Sequence, residues 1–440
     1  MNCKLHPKII GAVIQSTAHN IFYTAMNLQL HSAIYNLNAT ISITGSKSET
    51  NRLLLLQALY PNLVLTNTSN SDDSEVMTKA LQNTQFSNSD SQLIDIHHAG
   101  TAMRFLTAFF AVSEGKEVVL TGSQRMTERP IKVLVEALQQ LGAQIAYEKE
   151  SGFPPIRIKG QKITQSKVSI PANVSSQYIS ALLLVAPKLE NGIELTLVGE
   201  ITSVPYIKMT LALLNEIGVE TKFEENVITV KPLTTNSKQQ TVTVESDWSS
   251  ASYFFSLAAL SNEATIVLSS YKESSLQGDS ALVEIYAKMG VEARFEANQL
   301  TLVKQPNFNH QSVTFDLNNT PDIAQTIVVT CLGLGIGCHL TGLHTLKIKE
   351  TDRLEALRIE LTKLGAAITV TNDSLTLEPT QKILENIAID TYNDHRMAMA
   401  FAPLALRVPI IINNAEVVSK SYPDFWKDLE LVGIENSEIN

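Results

Sequence analysis

Cysteine is scarce: Cys3, Cys331 and Cys338 are the only three in 440 residues. Three scattered thiols cannot build a disulfide framework and fit a reducing compartment, so a cytoplasmic location is expected. No CxxC or HExxH string occurs, which removes the common structural-zinc and zincin arrangements. No apolar run approaches the roughly 18 residues that a membrane span needs. Aromatic residues are only 6% of the chain, and 44 acids against 34 bases leave a net charge of −10. Neither a base-stacking surface nor a binder of nucleic-acid phosphates is expected from that balance. No GxGxxG opens a helix after a strand, which disfavours a nicotinamide enzyme. The string Gly45-Ser46-Lys47-Ser48 lacks the spacing of an ATP-binding phosphate loop. Residues 1–25 lack the charged start, apolar middle and cleavage site of a signal peptide. They show no strand or helix pattern either, so ordered structure is expected from about Met26, with 1–25 a possible non-native or disordered extension.

A chain of this length can bury a large core without covalent staples, and its sequence is repetitive. Four amphipathic helical patterns end in an apolar residue and Gly: Gly142, Gly218, Gly290 and Gly365, spaced by 76, 72 and 75 residues. Glycine there fits a left-handed helix cap, which a Cβ would strain. A second helix type has a polar head and an almost wholly apolar tail. Taking Gly100, Ser175, Ser249, Asp322 and Asp394 as head markers, the steps are 75, 74, 73 and 72; an earlier head at Lys47 precedes Gly100 by only 53. Tails such as 178–186 carry little polar stripe and predict helices buried on all sides. With the alternating runs between them, the unit reads β-α-β-α-β-β. Six units with buried helices and outer sheets suggest two domains of three.

Capping alone explains Ser, Asn, Asp or Gly at a helix start. It does not explain the cations. Lys47 and Arg52 follow the first head, Arg104 follows the second, and Arg396 lies in the sixth. A cation at the positive end of a helix costs up to about 1 kcal/mol, so an anion should offset it. Phosphate or carboxylate ligands are what helix N-termini and cations hold together. Arg125, followed by Met126-Thr127-Glu128-Arg129-Pro130, is expected just before a helix with Pro130 in its first turn. Lys349-Glu350-Thr351-Asp352-Arg353 is expected to open another, with Lys349 and Arg353 on one face.

Read in order, GSKSETNR, AGTAMRFL, RMTERPI, SSQYISALL, PYIKMTL, SDWSSASYF, Pro321-Asp322, KETDRL, YNDHRMAMAF and SKSYPD resemble the 3-phosphoshikimate 1-carboxyvinyltransferase (enolpyruvylshikimate phosphate synthase) family. The likeness runs from about residue 40 to 428. It implies a two-domain inverse α/β barrel with three β-α-β-α-β-β units per domain and helix N-termini facing a central cleft that closes when substrate binds. The implied division is 26–45 plus 246–440 for one domain and 46–245 for the other. The implied reaction moves the enolpyruvyl group of phosphoenolpyruvate to the 5-hydroxyl of shikimate 3-phosphate and releases phosphate, with no cofactor or metal, in the shikimate route to chorismate and the aromatic amino acids. A monomer acting on these two small molecules is expected, with no nucleic-acid or membrane partner.

By the same resemblance, Ser48 and Arg52 hold the shikimate carboxylate, and Ser175, Ser176, Ser203 and Lys349 surround its phosphate. Tyr206 stands nearby, Gln177 lies over the ring, and Lys47 and Thr345 border this side. Lys47, His98, Gly100, Arg125 and Gln177 meet the phosphate of phosphoenolpyruvate, and Arg353, Arg396 and Lys420 its carboxylate. Asp322 is the implied base at the 5-hydroxyl. Glu350 is the implied acid at the methylene carbon, with Lys47 as its rival. His98 replaces the usual Asn and Thr345 another, changing donor number and reach. Gly100 leaves the room that goes with glyphosate sensitivity in this family. Two alternatives stand beside this reading. One is UDP-N-acetylglucosamine enolpyruvyltransferase, whose family usually carries a Cys that 121–130 lacks. The other is a non-catalytic anion-binding protein, which would gain nothing from carboxylates at Asp322 and Glu350.

Overall fold

The computed structural model describes residues 26–82, 91–173, 175–201, 204–233 and 239–439; the segment 1–25 and Ser203 lie outside the described residues. One sheet pattern recurs. Gln92–Asp95 lies parallel to Glu117–Thr121, and antiparallel Ile156–Lys159 and Gln144–Tyr147 complete the sheet. Lys167–Pro171, Ile193–Val198, Val227–Val230 and Thr221–Glu224 repeat the order. So do Val313–Asp316, Cys338–Thr341, Leu375–Leu377 and Ile368–Val370. A parallel pair needs a crossover. Here it is the apolar helix with the polar head: Gly100–Ala111, Ser176–Val185 or Ala324–Leu334. His395–Phe401 plays the same part between Ile387–Ile389 and Ile410–Ile412, whose sheet is completed by Asn27–Ser32 and Ile434–Ile439.

The remaining two units exchange strands. Asn36–Ile41 precedes the helix Lys47–Leu59 in the chain but pairs with Glu263–Ser269; Gln240–Thr243 precedes Trp248–Leu260 but pairs with Leu63–Thr66. That exchange sends the chain across the molecule twice, side by side, where Gly45 bridges Ser246 and the Ser46 amide donates to the Glu245 carbonyl at 2.8 Å. Among the described residues the Leu63–Thr66 sheet has only its parallel pair, and this is the unit with the short 53-residue step.

The fold is thus the inverse α/β barrel, helices inside and sheets outside. Two hydrophobic cores result. One gathers side chains from residues 53 to 244, the other from 28 to 43 and 248 to 434. In Trp248–Leu260 every residue except Ser249 is buried, as an all-round apolar tail requires. The four helix-ending glycines have φ between +80° and +104°, the left-handed region in which a Cβ is strained. Two local expectations are corrected. The helix after the Arg125 segment starts at Lys132, capped by Ile131, not at Pro130. The Asp352 carboxylate accepts the Glu355 amide at 3.2 Å and starts the next helix at Arg353, so Lys349 stands outside it.

Candidate active site

The helix heads converge. In the first half of the molecule, Lys47 Nζ is 3.4 Å from one Asp73 carboxylate oxygen and His98 Nε2 is 3.7 Å from the other. Gln177 Nε2 donates to Thr101 Oγ1 at 3.0 Å, joining two heads, and the Ser175 hydroxyl caps its helix by accepting the Gln177 amide. Burial pushes the His98 imidazole below its ordinary range, against the opposing pull of Asp73. The shift favours the neutral imidazole.

This half holds buried cations without acids. Arg52 is 2% exposed; its guanidinium donates to the Ser48 carbonyl (2.8 Å), Thr210 Oγ1 (2.8 Å) and Ser180 Oγ (3.0 Å), beneath the Phe105 and Tyr206 rings. Arg104 donates to the Gly100 and Pro130 carbonyls. Among the described residues neither has an acid at ion-pair distance, and burial pushes both down to about 10. Arg125 is half exposed and pairs with Glu128, whereas Arg129 lies against Gly100: a Cβ there would stand 2.6 Å from its Nη1.

The second half balances its charges. Asp322 Oδ1 is 3.2 Å from Lys349 Nζ and 3.0 Å from Arg353 Nη1, and Asp322 Oδ2 is 3.5 Å from Arg396 Nη2. Arg353 is 1% exposed and fully engaged, with Nη2 2.9 Å from Glu350 and Nε 2.7 Å from Asp394. Burial opposes charge on Asp322, but Lys349, Arg396 and Arg353 overcome it and hold the carboxyl well below the usual carboxylate range. Glu350 is likewise held low against burial, by Arg353 first, with Arg129 and Lys47 adding to it. Both are anions in this state.

The halves meet over the site. The Tyr206 hydroxyl donates to Asp322 at 3.5 Å and Ser419 Oγ to Asp72 at 2.6 Å. Lys420, held by the Asn393 carbonyl, lies within electrostatic reach of His98. Most of the residues singled out from the sequence thus share one region. Arg125 is the exception, half exposed and paired with Glu128; Lys349 lies in the region with its ammonium engaged by Asp322, and the Thr345 hydroxyl is buried without a partner among the described residues.

Sequence reasoning gave no site role to Asp73, Arg129, Asp394 or His395, although Asp394 marks the sixth head. Asp73 sits in an acidic helix start that reads as a dipole complement, and Asp394 reads as an N-cap, which it also is, accepting the Arg396 amide. His395 is fully buried, pushed well below the imidazole range chiefly by burial and by Lys47. Among the described residues no group of three or more His, Cys, Asp or Glu is disposed to hold a metal ion, and no helix is long and apolar enough to cross a membrane.

The architecture is that of the enolpyruvyl transferases. It matches EPSP synthase from Acinetobacter baumannii with a TM-score of 0.76 at 21% identity, over 94% of this chain and 100% of that one. The enolpyruvyl transferase NikO from Streptomyces tendae matches with a TM-score of 0.71 at 13% identity, over 94% and 99%. Sequence narrows the class. The family model of EPSP synthase (3-phosphoshikimate 1-carboxyvinyltransferase) matches residues 32–429. The 3-phosphoshikimate 1-carboxyvinyltransferase of Bacteroides fragilis strain YCH46 is 45% identical over 409 residues, 92% of this chain and 97% of its own. That of Colwellia psychrerythraea is 36% identical over 91% and 98%. The chain belongs to the EPSP synthase family.

Proposed function

We propose that this protein transfers the enolpyruvyl group of phosphoenolpyruvate to the 5-hydroxyl of shikimate 3-phosphate, as a cytoplasmic monomer of the pathway to aromatic amino acids. Residues 26–45 with 246–440, and 46–245, are taken as the two domains that close on substrate. The observation that carries the reading is the unequal charge of the two halves: acid-free buried cations on one side, and two ionised carboxylates ringed by cations on the other. Each substrate brings a phosphate and a carboxylate. Two unit charges 4 Å apart repel by about 4 kcal/mol even at an effective dielectric near 20, and preorganised cations offset that repulsion where water is excluded.

Arg52 and Ser48 take the shikimate carboxylate, while Ser175, Ser176, Ser203, Tyr206, Gln177, Thr345 and Lys349 take the rest of that substrate. Lys47, His98, Gly100, Gln177 and Arg125, with Arg129 beside them, take the second phosphate; Arg353, Arg396 and Lys420 take its carboxylate. That carboxylate competes with Glu350 and Asp322 for the same guanidinium groups. Once Arg353 turns from Glu350 to the substrate, burial dominates and the Glu350 pKa rises into a range where it can carry a proton. Asp322, relieved in the same way, becomes a stronger base. In the addition step Asp322 accepts the 5-hydroxyl proton, the oxygen bonds to C2 of phosphoenolpyruvate, and C3 gains a proton from Glu350. In the elimination step the C2–phosphate bond breaks, C3 gives its proton back and phosphate departs. Lys47, paired with Asp73, remains the alternative donor.

Phosphate release from phosphoenolpyruvate tests this. It should require shikimate 3-phosphate and not respond to UDP-N-acetylglucosamine; the opposite dependence excludes the proposal. Asp322→Asn should retain shikimate 3-phosphate binding and lose about 10²–10⁴-fold in turnover, the usual worth of a general base.

A further inference from the structure

Asp279 lies in none of the strings that carry the chemistry, yet it is a carboxylate buried beside them, at 4% exposure. One of its oxygens accepts from Thr320 Oγ1 at 2.5 Å, and Thr320 directly precedes Pro321 and Asp322. The other accepts a short hydrogen bond from the Ser249 hydroxyl. Because that hydroxyl donates to Asp279, its lone pairs are directed elsewhere, and Ser249 Oγ accepts from Arg396 Nη2 at 3.2 Å. Arg396 in turn donates through Nη1 to the Asp322 carbonyl at 3.0 Å. The loop bearing Asp279 is itself fixed. Gln277 accepts the Trp248 amide and donates to the Ser246 carbonyl and to Glu49, both beside the chain crossings. A Cβ on Gly278 would stand 3.0 Å from the Pro205 side chain, across from the other core.

Resting on the reaction proposed above, we infer that Asp279 is a positioning residue that aims the Arg396 guanidinium at the phosphoenolpyruvate carboxylate through the Ser249 hydroxyl. An arginine that must give up its hold on Asp322 for a substrate carboxylate needs a second anchor, or it loses its direction during the exchange. Ser249 supplies that anchor at the head of its helix, and the buried Asp279 carboxylate fixes its hydroxyl from behind. Charge-assisted hydrogen bonds of this kind are each worth about tenfold or more in an equilibrium constant.

Steady-state kinetics of the full chain test the inference. Asp279→Asn and Ser249→Ala should each raise the KM for phosphoenolpyruvate about tenfold while the KM for shikimate 3-phosphate stays within about twofold. Ser249→Thr, which keeps the hydroxyl, should restore the value. A purely structural role would shift both KM values together. Ser249→Ala keeps the test open if Asp279→Asn does not fold, since it removes the relay without altering a buried charge. An active wild-type enzyme whose KM for phosphoenolpyruvate is unmoved by Ser249→Ala overturns the inference alone. A wild-type protein that releases no phosphate overturns the reaction and the inference with it.

Discussion

Replacing Arg52 by Met should separate stability from binding. The guanidinium is buried with no acid at ion-pair distance among the described residues, and burial pushes its pKa well below the ordinary guanidinium range, to about 10. At 1.36 kcal/mol per pKa unit that depression corresponds to about 3 kcal/mol of charging free energy, regained when the charge is removed. The loss is somewhat larger. Its three short hydrogen bonds at 2.8–3.0 Å, to Ser48, Thr210 and Ser180, have a charged donor and are worth about 1.5 kcal/mol each, and a fourth, to the Tyr206 carbonyl at 3.5 Å, is long and adds little. Few partners are stranded, because the Ser180 and Thr210 hydroxyls already bond each other at 2.9 Å and Thr210 donates to the Tyr206 carbonyl. Arg52→Met should therefore be only about 1–2 kcal/mol less stable than wild type. Binding should behave differently. Losing a charge-assisted contact worth about 3 kcal/mol weakens shikimate 3-phosphate about 100-fold. At 100 times the wild-type Kd, ligand stabilises wild type by about 2.7 kcal/mol but the variant by only about 0.4 kcal/mol. Denaturant unfolding with and without shikimate 3-phosphate reads both quantities. A variant several kcal/mol less stable without ligand, or one that keeps the full ligand-induced gain, refutes the reasoning.

Glu49 and His98 yield two pH predictions. Glu49 faces Glu245, Lys272 and Gln277 at the chain crossing, and burial followed by Glu245 raises its pKa from 4.5 to about 7. The raised value means that its stabilising contribution is complete below pH 4.5 and is lost as pH rises through about 7. Glu49→Gln should match wild type at pH 4.5 and exceed it by about 3 kcal/mol at pH 8 in urea unfolding, a gap that a flat difference would disprove. His98 faces Asp73, Asp72, Lys47 and Lys420, and its pKa is lowered below 6.5. Its added positive charge is then available to a substrate phosphate only on the acid side. The ratio of kcat/KM for phosphoenolpyruvate, wild type over His98→Asn, should rise as pH falls from about 7.5 to 5.5; a constant ratio contradicts this.

Local features were legible in the sequence because they depend on neighbours in the chain. The glycine-ended helices, the all-apolar tails and the six polar heads are set by periodicity and capping, and Gly142, Gly218, Gly290 and Gly365 take the left-handed conformation anticipated for them. What escaped depends on residues far apart in the chain. Asp73 meets Lys47 and His98 across 26 and 25 positions, Glu49 meets Gln277 across 228, and Asp279 meets Ser249 across 30. Nothing at any of these acids distinguishes it locally from a helix-start or loop carboxylate. The exchange of Asn36–Ile41 and Gln240–Thr243 between sheets is also invisible to periodicity, since both strands have ordinary alternation. Lys349 shows the limit of spacing arguments: four residues from Arg353, it reaches Asp322 from outside the helix because Asp352 caps between them.

The converging cations and carboxylates are held here to join two anionic metabolites through a new ether bond. Carbon NMR of a reaction containing 13C-labelled phosphoenolpyruvate and shikimate 3-phosphate observes that bond directly. The expected result is an enol-ether vinyl signal on the shikimate product, appearing in step with one equivalent of phosphate. Phosphate released with free pyruvate and no ether signal, or label that remains entirely in phosphoenolpyruvate, would contradict it.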